Sequence, residues 1–404
     1  MKKYNVINFA IAMINPVFGF FSTLKDIIQG RDASLIFAFC VSLICVYFPL
    51  MYDTSSNFYV AYLAAEYSNG FNDWLRPYVT IPSILMNKYH IDFYFFIFFN
   101  VIFVVYTWTK IIVKTYEHSE KNYFNAFVFM ILLLLTFNYR DLMDLNRNIF
   151  SYSFIFYYIF LIKNKSLVKA IFFCSLAVWI HNSSLIVVAL YLVSLKALNY
   201  RLNYIILILS LILGVFIPSL IGAFEKAISS IPFIGQSVSY YIYGSDFGVQ
   251  EFTTGTLLKK LLNCSFVFLT SLLAIFLLKK NPEDRILQFI ILLGAVELFF
   301  LSFVTFFERL NLAFNFIYIY ILFRKIPNNF KILISGMVFF RSAAVYILLY
   351  FPIFFGSYTD VLIDTYQKNQ MIMKPFSQAT PWLLDIKNNG YSDEFIRKNS
   401  IWGK

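Results

Sequence analysis

The sequence predicts an all-α polytopic membrane protein with about 12 transmembrane helices (11–13) and two larger outward-facing loops. Three observations carry this prediction. Of the 404 residues, 60% are apolar and only 14% charged, with a mean hydropathy of +0.69; a soluble core does not absorb that many apolar side chains. Apolar runs near the roughly 20-residue length of a membrane span recur along the whole chain. The loops between alternate runs hold most of the Lys and Arg. The net charge of +11 therefore belongs to basic loops facing anionic lipid, and membrane lipid rather than nucleic acid is the expected partner.

In chain order, spans are expected near 5–24, 34–52, 92–113, 123–138, 147–162, 167–180, 183–196, 202–222, 257–278, 286–306, 310–323 and 332–355. Asn15-Pro16 breaks the first run, so 5–24 is either a span or a re-entrant or interfacial segment. The run 34–52 is apolar up to Asp53. The runs 123–138 and 147–162 flank a charged stretch, FNYRDLMDLNRNIF. Two short runs, 167–180 and 183–196, leave only His181-Asn182-Ser183 for the turn between them. Glu308 and Arg309 separate 286–306 from 310–323, and Arg341 lies inside the last run. No repeat or low-complexity linker interrupts this pattern, so residues 1–404 are expected to form a single transmembrane domain.

Charge gives orientation. One set of short loops holds sixteen Lys and Arg, the opposite set only six, so the first set is expected in the cytoplasm. Outward-facing loops then lie near 53–91 and 222–256, and a tail, 356–404, also faces outward. Lys2 and Lys3 face outward against the rule if 5–24 spans. A signal peptide is not read there, because Pro16 interrupts the apolar run and no small-residue cleavage site follows.

Cys40, Cys45, Cys174 and Cys264 sit inside apolar runs without metal or disulfide spacing. His90, His118 and His181 form no metal motif. Neither a metal nor another cofactor is expected.

The candidate site residues are charged groups at the outward ends of spans. In a helix, Arg140, Asp144 and Arg147 fall on one stripe, with Asp141 about 100° away. The plainer reading is a salt-bridged helix end with snorkelling arginines. Arginine outside the positive-inside pattern, at membrane depth and suited to bidentate phosphate binding, favours an anion site. Asp53, where a span leaves the membrane, is suited to act as a general base, although Asp-Thr-Ser-Ser is also good capping sequence and on the residue alone capping is the stronger reading. Trp74, Arg76 and Tyr78 suit sugar stacking and diphosphate contact, or an interfacial belt. His181 stands at the same expected level as Arg147. Glu308-Arg309 is an acidic–basic pair at another outward end. A lone Arg deep in a span, Arg341, marks a functional site by default.

Four stretches resemble one known family: INPVFGFFSTLKDI; YDTSSNFYVAY; LNRNIFSYSFIFYYIFLIKNK followed by LAVWIHNSSLI; and FFERLNLAFNF. Their order is similar to that of the Wzy-type surface-polysaccharide polymerases, in particular the EpsG-like group. The resemblance implies a metal-independent membrane glycosyltransferase of the bacterial inner membrane, with its site facing the periplasm or exterior. It would join oligosaccharide repeats carried on undecaprenyl diphosphate into O-antigen or capsule-type polysaccharide, together with a chain-length co-polymerase. It implies that Arg76, Arg140, Arg147, Arg309 and Arg341 bind diphosphate, supported by Asp141, Asp144 and Glu308, with Asp53 or His181 as base. The Arg-x10-Gly spacing of some relatives is absent: Asn87, Ser151 and Tyr320 stand where the glycine would follow Arg76, Arg140 and Arg309. A lipid-linked oligosaccharide flippase and an O-antigen ligase-like glycosyltransferase are the alternatives. Charge confined to one face and the lack of related halves weigh against the flippase.

Overall fold

The computed structural model describes residues 3–48, 52–67, 74–117, 119–120, 122–196, 198–223, 254–324, 326–347, 365–389 and 392–394. Among them every regular element is helical and no strand occurs. Three helices are long and apolar enough to cross a membrane by length and composition: Phe93–Glu117, Tyr200–Ile217 and Lys260–Lys280. Shorter apolar helices of 10–17 residues accompany them. Two compact units divide the chain, Met1–Leu185 with Ser342–Lys404, and Ile186–Arg341. Both boundaries fall inside helices, Ser184–Ser194 and Asn328–Val345, so no linker composition marks them.

In the first unit the broken run at the N-terminus is a helical hairpin. Helix α1 (Lys3–Ile14) turns at Asn15 into α2 (Pro16–Ile28). Asn8 on α1 donates to Asp26 on α2 (2.7 Å) and accepts from Ser22 (2.6 Å), so the helices run back to back. A side chain at Gly19 would lie 2.6 Å from the Ala12 backbone, so only glycine allows this approach. The Tyr4 hydroxyl accepts from the Asp32 amide at 3.2 Å, which returns the N-terminus to the Arg31 end. The segment expected near 5–24 is therefore a hairpin of two helices and not one continuous helix. Asn15 makes the turn: its Oδ1 accepts from the Val17 and Phe18 amides, while Pro16 occupies the first helical position, where no amide donor is needed.

At 1.5 Å per residue a 13-residue arm is about 20 Å long, against a hydrocarbon core of about 30 Å. Of the C-terminal helices α18 (Thr365–Ser377), α19 (Thr380–Leu383) and α20 (Ile386–Asn389), α18 packs on α2 and α19 on α1. Asn15 Nδ2 donates to the carbonyls of Pro375 (2.9 Å) and Gln378 (2.8 Å). Tyr47, just past α3 (Ser34–Cys45), donates to the Leu383 carbonyl at 2.6 Å. The part of the expected tail between 365 and 389 is thus packed structure.

The region expected as an outward loop near 53–91 contains two helices packed together, α4 (Tyr52–Tyr67) and α5 (Pro77–Tyr89). Pro77 opens α5, and His90 ends it with a left-handed backbone (φ 53°). The 25-residue α6 (Phe93–Glu117) packs on α3 and on α9 (Asn146–Leu161), which in turn packs on α10 (Leu167–Ile180). Tyr94, Tyr152, Phe58, Phe129 and Phe156 are fully buried in this unit. Between α6 and α9 lie α7 (Tyr123–Leu135) and the five-residue α8 (Tyr139–Met143).

The second unit holds most of α11 (Ser184–Ser194), α12 (Tyr200–Ala223), α13 (Thr254–Lys280), α14 (Arg285–Phe299), α15 (Val304–Ile317), α16 (Ile319–Leu322) and the start of α17 (Asn328–Val345). Helices α12 and α13 both pack on α14. Asn203 and Gln288 exchange two amide hydrogen bonds between α12 and α14, at 2.8 and 2.6 Å. Helix α14 stops at Phe299, where the Phe300, Phe303 and Phe306 rings pack together and turn the chain. Glu308 and Arg309 consequently sit inside α15, not in the loop expected between two spans. The outward loop expected near 222–256 lies almost wholly outside the described residues.

Candidate active site

The charged stretch that interrupts the apolar pattern is two helices with a break. Helix α8 starts in a capping box: Asn138 Oδ1 accepts from the Asp141 amide (3.0 Å), and Asp141 Oδ2 accepts from the Asn138 amide (3.1 Å). Asp141 thereby fixes the orientation of the turn carrying Arg140. The helical stripe expected through Arg140, Asp144 and Arg147 is interrupted at Asp144-Leu145, yet the i,i+4 pair forms, with Arg140 Nε 3.7 Å from Asp144 Oδ2.

Asp144 is buried and joins this stretch to α4. Its Oδ1 accepts from the Asp53 amide at 2.7 Å, and its main-chain carbonyl accepts from the Thr54 hydroxyl at 3.0 Å. An amide at the start of a helix has no partner inside that helix, so a carboxylate 91 residues away supplies it and suits the positive end of the helix dipole. Asp53 is thereby set beside Arg147, with the guanidinium 3.9 Å from Asp53 Oδ1. That separation is attractive but beyond hydrogen-bond length. Arg147 Nε, Asn148 Nδ2 and Asp53 Oδ2 are buried atoms that find no hydrogen-bond partner among the described residues. The Asp53–Arg147 pair thus keeps one donor and one acceptor unused, and Asn148, next in sequence, keeps a further donor.

A buried amide network fixes the floor. Asn146 Oδ1 accepts from the Tyr78 hydroxyl (2.7 Å) and Asn100 Nδ2 (3.1 Å), while Asn146 Nδ2 donates to the Leu142 carbonyl (2.7 Å). The His181 turn is held to α9 by the Tyr152 hydroxyl on Ser183 (2.9 Å) and by Ser184 on Ser151 (2.8 Å). His181 itself ends α10 in extended backbone. Trp179 donates its indole N–H to the Trp74 carbonyl at 2.6 Å and stacks on the Trp74 ring at 6.4 Å. This contact brings the exposed Arg76, which precedes α5, towards the end of α10 that bears His181.

Thus Asp53, Arg140, Asp144 and Arg147 form one cluster, with Asp141 behind it and His181 and Arg76 on elements tied to its surroundings. Glu308, Arg309 and Arg341 belong to the second unit. There, Arg341 donates to the side-chain carbonyls of Asn311 and Asn315, both at 2.9 Å, and lies 5.0 Å over the Phe266 ring. Asn311 in turn donates to Glu297 Oε1 at 2.6 Å. Glu297 is fully buried, and its Oε2 has no hydrogen-bond partner among the described residues.

Sequence reasoning passed over Glu297, although the rule that singled out Arg341 applies equally to an acid inside LQFIILLGAVELFF. It also passed over Asn146, Asn148 and Asn100, since uncharged amides in apolar runs give no signal until their partners are seen.

A family model described as the EpsG family matches residues 78–368, well over half of the chain. Asp53 and Arg76 precede the match, while Arg140, Arg147, His181, Arg309 and Arg341 lie within it. No curated protein and no solved structure is found to match. Family membership and the apolar helices together describe a multi-pass membrane protein of the polysaccharide-polymerase-like kind. The chain belongs to the EpsG family.

Proposed function

We propose that the protein polymerises oligosaccharide repeat units carried on a polyprenyl diphosphate, with undecaprenyl diphosphate as the carrier, on the outward face of the bacterial inner membrane. The observation that carries this reading is the Asp53–Arg147 pair, with unused donors on Arg147 and Asn148 and an unused carboxylate oxygen on Asp53. Asp53 takes the proton from the acceptor sugar hydroxyl. The hydroxyl oxygen bonds to the donor's anomeric carbon as that carbon's bond to the diphosphate oxygen breaks. The electron pair leaves on the diphosphate, where Arg147 and Arg140 neutralise the growing charge. Asp144 positions both partners through Asp53 N–H and Arg140. Trp74 and Trp179 offer a stacked pair for sugar, with Arg76 beside it. His181 is the alternative base. Arg309 and Arg341, in the second unit, are proposed diphosphate-binding residues of that unit, with Glu308 supporting Arg309. A chain-length co-polymerase is a proposed partner.

Complementation tests the reading. The deleted gene is replaced by wild type, Arg147→Ala, Arg147→Lys or Asp53→Asn at matched membrane levels, and surface polysaccharide is resolved on a gel. A single-repeat band in the deletion, a ladder with wild type and none with Arg147→Ala is the expected result. A full ladder with Arg147→Ala refutes the assignment.

A flippase is the second reading, favoured by the buried Glu297 linked through Asn311 to Arg341, since transporters place ionisable groups at such depth. Loss of even the single-repeat band on deletion, with lipid-linked units accumulating on the inner leaflet, would select it.

A further inference from the structure

Within the second unit, helices α12 and α13 part near one end to leave a cleft of about 440 Å³. Its walls are apolar: Tyr204 and Ile205 on one side, Leu272, Ile275 and Phe276 on the other. Tyr204, Ile205 and Phe276 are each about half-exposed, so the cleft opens outward from the helix pair. Two cations, Arg201 and Lys279, stand at its mouth with Tyr200. Arg201 Nε donates to the Tyr200 hydroxyl at 3.3 Å, and the Lys279 ammonium lies 5.7 Å over the Tyr200 ring.

The cations lack what Arg324 has. In the same unit Arg324 pairs with Asp284 at 3.0 Å. Arg201 and Lys279 have no carboxylate within ion-pair distance among the described residues, and both gather about one phenol. Two uncompensated cations over an apolar cleft, between helices that are among the longest apolar ones described, form a site with a cationic head and a greasy body.

We infer that this cleft binds an anionic glycerophospholipid, with its phosphate between Arg201 and Lys279 and one acyl chain laid between Ile205 and Phe276. A charge match at the mouth and an apolar match along the walls select such a molecule over a zwitterionic lipid, and over a small anion that has no chain. The inference does not rest on the polymerase reading: it requires only that α12 and α13 lie in lipid.

The test uses the full chain purified in mild detergent and titrated with phosphatidylglycerol, phosphatidylcholine or glycerol 3-phosphate, with bound species read by native mass spectrometry. Each basic residue near a lipid surface contributes about five-fold in affinity, so the Arg201→Gln/Lys279→Gln double variant should bind phosphatidylglycerol roughly 25-fold more weakly. Ile275→Trp, which fills the cleft and keeps both charges, should weaken phosphatidylglycerol as well. Arg324→Gln, which removes a cation already paired with Asp284, should leave binding unchanged and shows whether total charge alone is at work. Equal binding of the two lipids by wild type, or an unchanged preference in the double variant, overturns the inference. Competition by glycerol 3-phosphate at concentrations equal to the lipid overturns the lipid assignment, since the anion then needs no chain.

Discussion

Replacing Asp144 with alanine separates the account of the candidate site from a plainer one in which the charged stretch is only a solvated helix end. Asp144 is 4% exposed and does two things through its carboxylate. It accepts the Asp53 amide at 2.7 Å, a charge-assisted bond to the otherwise unpartnered start of α4 that contributes about 1.5–3 kcal/mol. It also lies 3.7 Å from Arg140, whose side chain is 25% exposed, and such a pair adds no more than about 1 kcal/mol. The Thr54 bond goes to the main-chain carbonyl and survives the change. Asp144→Ala should therefore destabilise the protein by about 1.5–4 kcal/mol. Asp144→Asn keeps an acceptor for the Asp53 amide as a neutral bond of about 1 kcal/mol, so it should fall between the two. Polymer length should fall in the same order, because Asp53 shifts from Arg147 when its amide loses the Asp144 carboxylate. The assay is thermal unfolding in detergent alongside polysaccharide gels. An alanine variant that unfolds with wild type, or an asparagine variant as impaired as alanine, would refute the hydrogen-bond reasoning.

Three other perturbations test separate parts of the structure. Asp393 accepts from the Phe93 amide at 3.0 Å, and burial, followed by the neighbouring Asp92 carboxylate, pushes its carboxyl up to about 7, against opposing pulls from that amide and from Lys387. Because the buried, folded form holds a proton that the unfolded form releases near pH 4, the docking of this segment should be most stable at low pH and weaken as pH rises to about 7; hydrogen exchange at residues 386–389 and 392–394 between pH 5 and 8 reads this, and Asp393→Asn should flatten the dependence. Asn15→Ala removes the cap of α2 and two donors to the tail, at a cost of about 0.5–2 kcal/mol for the cap alone; limited proteolysis near Ser377 should quicken, and an unchanged digest would contradict the tip-to-tail contact. Glu297→Leu leaves the Asn311 amide without its acceptor, at a cost of about 1–3 kcal/mol, while Glu297→Gln retains one and should be close to silent in unfolding.

The features legible in the sequence were those set by composition and charge. Apolar runs at 147–162, 167–180 and 202–222 became helices at 146–161, 167–180 and 200–223, because each run is bounded by polar residues or loop signals. Asn15-Pro16 announced a break but not its angle, which depends on Gly19 meeting Ala12 and on hydrogen bonds of Asn8, all invisible to a hydropathy pattern. The stretch 53–91 read as loop because its helices are polar enough to escape a span criterion, yet Pro77 at the start of α5 is an ordinary helix signal. At the site, Arg140, Arg147 and Asp144 stood out as charges in an apolar setting. That Asp144 would reach Asp53 across 91 residues was not legible, since nothing in either stretch specifies its partner.

In the proposed reaction Arg147 neutralises a departing diphosphate beside Asp53. The most direct measurement is diphosphate-lipid release by the purified protein given a synthetic polyprenyl-diphosphate-linked repeat, comparing wild type with Arg147→Ala and Arg147→Lys at equal unfolding temperature. The account predicts that wild type releases one polyprenyl diphosphate for each new glycosidic bond, that alanine lowers the rate by about 100-fold or more, and that lysine restores part of it. Release by Arg147→Ala at the wild-type rate would contradict it.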